Sequence, residues 1–436
     1  MKRLFFIYIF CLAALQIQAA ENITLEQAMQ MAQQNSQKLK IDSLIIQSYD
    51  IQKKQVQNAM LPVVALQSSY SRLSDNIDPF EISIPGVGSY SIRTNIPNQF
   101  NNIASIQQPI FQGLRNWNTL KAVKEQKSAA TFDMQKDVLD VKYMVVQTFY
   151  QLYKLQQAEI LLDSNIAQTQ ARVDDLERFK NAGLILNNEV MRAELQKNSL
   201  QIALADTKSA IEIVNYNLCI LLGIDTDTQI IVSPPDLVTA TNATFQSMLT
   251  TSYSDRAELK AQTYRTKAAD YGIKASRSAY MPTISAKGNA MYNNPNMRMF
   301  PPEEKFKATW DVGISISWNL MQLYTARSVV AEAKNKKAQL EQVTKQIKDG
   351  ISIEVKSDYE ALKVALLKID LAKDAITQAT ENKRILDNRF NAQVALLTDV
   401  LEADQLLLKA QTDLLNAQAD AAVANYKLQK SLGTIK

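Results

Sequence analysis

The residues of this sequence that could do chemistry are acids on predicted helices. The 436-residue chain contains no His, which excludes Ser-His-Asp and Cys-His catalytic sites and imidazole metal ligands. Asp399 and Glu402 stand three residues apart on one face of a predicted helix, close to its N-terminus. Acids at this position either complement the helix dipole or form charged rings along an ion pathway, and the sequence leaves both interpretations open.

Composition points away from enzymes and from nucleic-acid-binding proteins. The hydrophobic fraction of 46% is ordinary for a folded chain, whereas a formal net charge of +4 is too small for a nucleic-acid surface. With only 10 Gly and 11 Pro, the chain has few turns and long uninterrupted elements. We therefore expect a binding, transport or structural role, with no catalytic residues, no cofactor, no metal site and no nucleic-acid partner.

The first 20 residues are typical of a signal peptide. Basic Lys2 and Arg3 precede an apolar run, Leu4 to Leu15, which is too short to span a bilayer, and small residues suited to cleavage follow it. A lipidated Cys would stand at the cleavage point, whereas Cys11 lies inside the apolar run, so a lipoprotein is not favoured. Cleavage leaves Cys219 as the only thiol and excludes an intrachain disulfide.

The mature chain contains an internal duplication of one sequence unit. Ala59–Pro62 recurs as Ala279–Pro282, and Leu222–Gly223 recurs as Leu432–Gly433. The first copy carries extra residues within 75–99, whose composition predicts a longer loop. We therefore expect two structural repeats, each of a helix, two strands and two long helices. The first, 21–240, has strands at about 62–74 and 99–111 and helices at about 114–180 and 188–222; the second, 241–436, has strands at about 282–292 and 306–320 and helices at about 324–389 and 398–432.

Both copies begin with a helix-capping signal. Thr24 and Thr244 are each predicted to N-cap the first helix of a repeat, and Thr24 to Gln27 also has the spacing of a capping box. N-glycosylation of Asn22 and Asn242, which head N-x-T sequons, is the weaker interpretation.

The helices are too long for a compact domain. A helix over 114–180 would be about 100 Å long, a length that belongs to coiled coils or stacked bundles. Its apolar residues keep a spacing of three and four, which predicts a packing stripe. The stripe consists of Val138, Val141, Val145, Thr148, Leu152, Leu155 and Leu162, with one break in the spacing at Glu159.

One strand has the pattern of a membrane β-strand. Apolar and polar residues alternate over 306–320, whereas a soluble strand usually has about five or six residues and a membrane strand about nine to eleven. A long strand of a soluble sandwich is the alternative. With the usual strand tilt, Trp310 and Trp318 would differ in height by roughly 20 Å, close to the spacing of two aromatic girdles. The predicted lipid-facing residues are Phe306, Trp310, Val312, Ile314, Ile316 and Trp318.

Four strands per chain require oligomerisation. Open strand edges in lipid would leave backbone groups without hydrogen bonds, each costing several kcal/mol. Three copies would give a twelve-stranded barrel with a pore, and two copies an eight-stranded barrel with a filled lumen.

The mature chain resembles the TolC family of outer-membrane efflux proteins over essentially its whole length. The most specific match is Arg389–Ala403, which carries the family's Arg-aromatic pair and Thr-Asp-Val-Leu run, with Gln393 where Gly is usual. The first copy of this motif, Arg178–Val190, is one residue longer and has Glu189 in place of Asp.

The resemblance implies a homotrimer and a mainly α fold. Long coiled-coil helices would form a periplasmic α-barrel, and four strands per chain would contribute to a twelve-stranded barrel in the outer membrane. Such a protein is a passive conduit rather than an enzyme, and it works with a periplasmic adaptor and an inner-membrane pump. Its gate would lie at helical tips, where Ala395 replaces a charged residue of some members. The implied gate residues are Arg178, Phe179, Asn188, Glu189, Arg389, Phe390, Asp399 and Glu402.

Two other classes are compatible with parts of the sequence. A soluble periplasmic coiled-coil adaptor or scaffold accounts for the export signal and the helices, but it leaves the long alternation over 306–320 unexplained. An envelope hydrolase would need acid pairs in a pocket, whereas the acids here stand on helices. The exported substrate and the class of pump are not encoded in any motif.

Overall fold

The computed structural model describes residues 21–435, apart from 75, 77, 93–95, 236, 237, 239–242 and 301. The expected signal peptide, 1–20, and Asn242 lie outside the described residues. None of the helices in the described part has the length and the apolar character needed to pass through a bilayer.

The described chain is mainly helical, with eight α-helices and eight β-strands. Helices α3 and α7 are the longest, at 67 and 71 residues, and the antiparallel partner segments α4 and α8 each have 36. In chain order the elements are β1 (Glu21–Ile23), α1 (Leu25–Asn35), α2 (Gln37–Asn58), β2 (Val63–Arg72), β3 (Phe80–Ile84), β4 (Gly88–Ile92), β5 (Asn98–Gln112), α3 (Arg115–Asn181), α4 (Asn187–Leu222), β6 (Ile230–Val232), α5 (Phe245–Asp255), α6 (Ala257–Ser276), β7 (Thr283–Asn293), β8 (Lys307–Ser317), α7 (Met321–Asn391) and α8 (Leu397–Leu432).

The chain forms two compact units. Within the described residues, the helical unit comprises 21–43, 132–260 and 345–435, and the sheet unit comprises Leu44–Thr131 and Ala261–Thr344. Each unit takes segments from both halves of the sequence. The division in space is therefore different from the division into repeats at 21–240 and 241–436, which stays a prediction from the sequence.

The predicted helix caps are confirmed. The Thr24 side chain accepts a hydrogen bond from the Gln27 N–H, and the Gln27 side chain accepts one from the Thr24 N–H at 3.0 Å, which completes the capping box. Thr244 accepts from the Ser247 N–H at the start of α5. Both caps satisfy N–H groups that have no partner within the helix.

The core of the helical unit is built on the apolar stripe of α3. Val145 and Leu152 are fully buried, as is Phe149 beside them, and they pack against Leu218 and Leu222 of α4. Burying a side chain of this size contributes about 1.5–3 kcal/mol. The stripe is therefore a packing face, as its spacing predicts.

Glycine ends α4 at a crowded position. Gly223 has φ +70°, and a Cβ there would lie 2.6 Å from Cβ of Asn35. The Asn35 amide occupies this space because its Nδ2 donates to the Leu222 carbonyl at 2.6 Å. The Leu-Gly pair therefore serves two needs, a left-handed C-cap and close contact with α1.

Two small β features were missed by sequence reasoning. β1 pairs in parallel with β6, and three-residue strands are too short to show a period. The prediction of a loop within 75–99 was wrong in part, because β3 and β4 form an antiparallel hairpin there. Phe80, Ile82 and Ile84 alternate with polar residues, a pattern that the surrounding Pro, Gly and Asn obscured.

The sheet unit contains a four-stranded antiparallel sheet in the order β2-β5-β7-β8. β2 and β8 are its edge strands. The last strand ends at Ser317, before the predicted end at residue 320, because Asn319 begins the next helix: its Oδ1 accepts from the Met321 N–H at 3.1 Å. Side-chain capping at this position competes with continuation of the strand.

Candidate functional site

Two helical hairpins of the helical unit end in the same turn. We call the segments 182–186, between α3 and α4, and 392–396, between α7 and α8, the tips. The Leu184 N–H donates to the Phe179 carbonyl at 2.9 Å, and the Val394 N–H donates to the Arg389 carbonyl at the same distance. These hydrogen bonds close both helices in the manner of a Schellman motif, which needs a left-handed residue.

The left-handed residue is glycine at one tip and glutamine at the other. Gly183 has φ +75° and Gln393 has φ +60°. The matching hydrogen bonds equate Phe179 with Arg389, so the Arg-Phe pairs of the two copies are not structurally equivalent. The extra residue of the first copy therefore belongs to α3 and not to the turn.

The Arg-aromatic residues have different surroundings at the two tips. Arg178 is exposed and pairs with Asp175, one turn back on α3. The Arg389 guanidinium donates to the Val394 carbonyl at 3.4 Å and so bonds to its own turn. Phe179 is only partly covered, whereas Phe390 packs into the apolar cluster described next.

An apolar cluster joins the two tips. Val173 and Leu176 of α3, Val190 of α4 and Leu397 of α8 are buried together, and Phe390 packs against them. A cleft of about 270 Å³ opens beside this cluster, and its lining includes Phe390, Ala395, Glu189 and Arg192. Phe390 has no hydroxyl, and its contribution to the tip is therefore packing.

The acids of the two tips differ in their partners. Glu189 of α4 accepts from Asn188 Nδ2 at 3.3 Å, and Arg192 Nη1 lies 3.8 Å from its Oε1. In α8, Glu402 stands where α4 has Arg192, one turn after Asp399. Neither of these α8 carboxylates forms an ion pair with a residue that the structure describes. Glu189 therefore has a cationic neighbour on its own helix, whereas Asp399 and Glu402 have no ion-pair partner among the described residues.

A charged network above the tips was missed by sequence reasoning. Arg172 of α3 lies 2.9 Å from Asp387 of α7 and 3.3 Å from Asp404 of α8. Lys383 of α7 pairs with both carboxylates. All four side chains are largely covered, and together they tie three helices of the two hairpins. The spacing of Lys383 and Asp387 was a weak signal, but the partners from other helices could not be read from the sequence.

In the sheet unit, four of the six predicted lipid-facing residues share one face of β8, namely Trp310, Val312, Ile314 and Ile316, whereas Phe306 and Trp318 stand just outside the two ends of the strand. The strand register aligns Trp310 with Ala290, Ala104 and Leu66 on successive strands, so these side chains share one face. Trp310 is 74% exposed in the single chain. The members of the predicted set with the same exposed character are Phe306, Val312, Ile314, Ile316 and Trp318.

Phe306 belongs to an aromatic row that the sequence did not reveal. Its ring stacks on Tyr292 at 5.1 Å between centroids and meets Phe100 at 5.7 Å, and Tyr70 meets Phe100 at 4.9 Å. The row runs across β2, β5 and β7 to the residue that precedes β8, at one end of the sheet. Only the register, which pairs Tyr70 with Phe100, could place these residues together.

Neither unit offers a metal centre within the described residues. No group of three or more Cys, Asp or Glu side chains there has a geometry that could hold a metal ion.

Paired long helices with matching tips, together with a four-stranded sheet that has one exposed apolar face, define a TolC-like outer-membrane channel fold. Residues 28–223 and 250–434 match the family model described as outer membrane efflux protein. The chain belongs to this family.

Relatives and solved structures agree with this assignment. The chain is 24% identical over 342 residues to the outer membrane efflux protein BepC of Brucella suis biovar 1, covering 75% of this chain and 71% of BepC. The Campylobacter jejuni CmeC outer membrane channel superposes with a TM-score of 0.76 at 17% identity, covering 94% and 85% of the two chains. VceC from Vibrio cholerae gives 0.74 at 18% identity, with 94% and 96% covered.

Family membership fixes the broad function and the location. The chain is an outer-membrane efflux protein with a periplasmic extension, and it is a channel protein rather than an enzyme.

Proposed function

We propose that three copies of this chain form a passive efflux channel, gated at the tips, that receives its substrates from an inner-membrane pump through a periplasmic adaptor. The observation that carries the proposal is the four-stranded sheet, whose edge strands are β2 and β8 and whose apolar face is exposed. In a single chain, the edge strands of this sheet have no further strand to pair with, and its apolar face has no covering layer.

Three copies complete the sheet. If β8 of one chain pairs with β2 of the next, all edges disappear, and the barrel has twelve strands. Each backbone group that finds a partner in this way avoids a cost of several kcal/mol in lipid. The outer-membrane lipid then covers the apolar face, with the row of Tyr70, Phe100, Tyr292 and Phe306 at one interface.

The tips suit contact with an adaptor. Leu184 and Leu186 at one tip, and Val394 and Leu396 at the other, are all exposed in the single chain. Exposed apolar residues gathered at a turn are typical of protein interaction sites. The adaptor would cover these four side chains when the channel is engaged.

The charged network would hold the closed state. Moving the α7–α8 hairpin away from α3 would separate Arg172 from Asp387 and Asp404 and leave these largely covered charges without partners. The apolar cluster with Phe390 would be broken by the same movement. The gate would therefore resist opening until the adaptor compensates both losses.

Membrane fractionation tests the channel against the rival scaffold. We expect the protein to stay in outer-membrane fractions after carbonate washing and to migrate as a heat-modifiable trimer. Purified trimers should conduct ions in planar bilayers. Release by carbonate, or a monomeric protein without conductance, would favour the soluble periplasmic scaffold.

Substitution in the charged network tests the gate. Arg172→Ala should increase spontaneous channel opening, since a loss of about 1.4 kcal/mol from the closed state raises the open-to-closed ratio about tenfold. Arg384→Ala is the matched control, because Arg384 is exposed on α7 and pairs with Glu381 one turn away. Equal open probability in both variants would exclude the network as part of the gate.

Substitution of the acids of α8 tests whether they determine the ion selectivity of the channel. Three-fold symmetry turns Asp399 and Glu402 into rings of negative charge, which attract cations. We expect the double variant Asp399→Ala with Glu402→Ala to lose cation preference in reversal-potential measurements. Unchanged selectivity would leave the helix dipole as the explanation for these acids.

A further inference from the structure

The connection between β7 and β8 is folded back onto the sheet. Asn296 is only 3% exposed, although it stands in a loop. Its Nδ2 donates to the Lys307 carbonyl and to Thr309 Oγ1, both at 3.1 Å, and its Oδ1 accepts from the Arg298 N–H at 3.0 Å. Specific hydrogen bonds therefore attach the loop to β8.

Arg298 provides a second attachment further along the same strand. Its Nη2 lies 2.5 Å from Asp311 Oδ2, and its Nη1 donates to the Trp310 carbonyl at 3.3 Å. The other Asp311 oxygen accepts from Asn289 Nδ2 at 2.8 Å. A charge-assisted pair with a supporting amide holds its geometry better than a single contact between exposed charges.

Both attachments are on the polar face of the sheet. Thr309 and Asp311 alternate along β8 with Trp310 and Val312, so the two sets of side chains point to opposite sides. In the proposed barrel the apolar side faces lipid and the polar side faces the lumen. In that barrel, Asn296 and Arg298 would hold the segment 294–300 inside the lumen and not above its rim.

The attached segment presents apolar side chains. Met297, Met299 and Phe300 are exposed, and Phe300 is 74% exposed. Asn296 and Arg298 hold this apolar segment against the polar face of the sheet, which is unexpected in a loop that only connects two strands. In three copies, these residues would form an apolar ring that narrows the outer end of the pore.

We propose that segment 294–300 is an outer constriction of the channel, and that the Arg298–Asp311 pair determines both its width and its charge. The inference rests on the proposed trimeric channel. The ring would favour solutes with apolar surface over hydrated ions of the same size, because hydrophobic constrictions oppose wetting.

Paired charge substitutions test the constriction in planar bilayers. Arg298→Ala and Asp311→Asn each break the second attachment and leave the Asn296 hydrogen bonds in place, and both should raise single-channel conductance. Their selectivities should shift in opposite directions, because Arg298→Ala frees three carboxylates per trimer and Asp311→Asn frees three guanidinium groups. The double variant should keep the higher conductance with selectivity close to that of the parent channel.

Lys305→Ala is the matched control, since Lys305 is exposed in the same connection and its ion pair among the described residues is a weak one, with Glu303 at 3.9 Å. It should leave conductance unchanged. All variants are also measured with Arg172→Ala, so that the tips do not limit the current. Unchanged conductance in both single variants would overturn the constriction, as would a selectivity shift without a conductance change.

Thiol labelling tests the location without breaking the attachment. A charged methanethiosulfonate reagent should reduce the conductance of Met297→Cys, whereas Val87→Cys, in the exposed turn between β3 and β4, should react without this effect. Cys219 is fully buried and gives no background. A labelled Met297→Cys channel with unchanged current would place the segment outside the lumen. Absence of any channel in the parent protein would instead contradict the proposed function.

Discussion

At the scale of single residues, the tips show how one position can be filled in two ways. Gly183 and Gln393 occupy equivalent left-handed positions, with φ +75° and +60°. For a residue with a Cβ this conformation costs roughly 1–2 kcal/mol. The tip at 392–396 therefore carries local strain that the tip at 182–186 avoids, and it is expected to open more readily.

Gln393→Gly should stabilise the second tip. The strain of the left-handed residue is removed, and the net gain should be about 1 kcal/mol, because glycine also gains freedom in the open state. Native-state hydrogen exchange of the Val394 amide, which donates to the Arg389 carbonyl, measures this local free energy. We expect slower exchange in Gln393→Gly.

Gly183→Ala is the reciprocal control for this prediction. It should accelerate exchange of the Leu184 amide at the first tip by a comparable free energy, because it introduces the strain that Gln393 already carries. Slower exchange in both variants, or in neither, would mean that the left-handed position does not limit the stability of the tips.

At the scale of elements, ion pairs fix the long helices against one another. Asp140 of α3 accepts from Lys430 of α8 at 2.7 Å and from Lys136 on its own helix at 2.9 Å. Burial alone would raise the pKa of Asp140, but the hydrogen bonds from Lys430 and Lys136 outweigh it and hold the pKa below the ordinary value. Folding therefore favours the ionised carboxylate.

The depressed pKa of Asp140 makes part of the stability depend on pH. A carboxyl whose pKa is lower in the folded chain than in the unfolded chain stabilises the folded state. This contribution is fully present when the pH is above the ordinary pKa of about 3.9, and it is lost as the pH falls below that value. Asp140→Asn should therefore lower the thermal unfolding midpoint at about pH 6, and the difference from the parent should shrink below about pH 4.

Asp413→Asn is the control for the pH prediction. Asp413 pairs with Lys409 within α8, but both side chains are largely exposed, and such pairs contribute about 0–1 kcal/mol. Its midpoint should follow that of the parent at all pH values. A pH-independent difference for Asp140→Asn would show that the carboxylate acts by packing and not by charge.

At the scale of the whole molecule, the decisive property is that one face of the sheet is apolar and exposed. The family assignment puts the protein in the outer membrane. In the proposed trimer, neighbouring residues of β8 then have opposite environments, since Ile314 faces lipid and Ser315 faces the lumen. Ile314 is 71% exposed in the single chain, which is the exposure that lipid would remove.

Ile314→Lys and Ser315→Lys form a matched pair that separates the two faces. A Lys facing lipid near the bilayer midplane costs about 2–4 kcal/mol per chain, whereas a Lys facing the lumen mainly changes selectivity. Ile314→Lys should strongly reduce the amount of heat-modifiable trimer in outer-membrane fractions, and Ser315→Lys should leave it nearly unchanged. Equal yields of the two variants would argue against the assignment of faces.

Much of the architecture could be predicted because its signals are local. Thr24 and Gln27 specify a capping box within four residues, and the alternation along β8 needs only one strand. The helix expected at 188–222 extends over Asn187–Leu222. The strand expected to reach 320 stopped at Ser317, because a single side-chain cap at Asn319 was enough to start the next helix.

The functional details at the tips were predicted less completely. The motif pointed to Phe390, Glu189 and Asp399, but it did not reveal Arg172, which meets carboxylates on two other helices. It also suggested that the two Arg-aromatic pairs are equivalent, whereas the hydrogen bonds of the turns equate Phe179 with Arg389. Neither fact follows from spacing along one segment.

The sequence by itself determined the long helices and the family resemblance and predicted the export signal and the membrane-type strand, because periodicity, caps and motifs act over a few neighbouring residues. Only the tertiary structure decided which distant side chains meet: Arg172 with Asp387 and Asp404, and Arg298 with Asp311. Such contacts depend on helix packing and strand register, which set the final position of every side chain and are fixed only when the whole chain has folded.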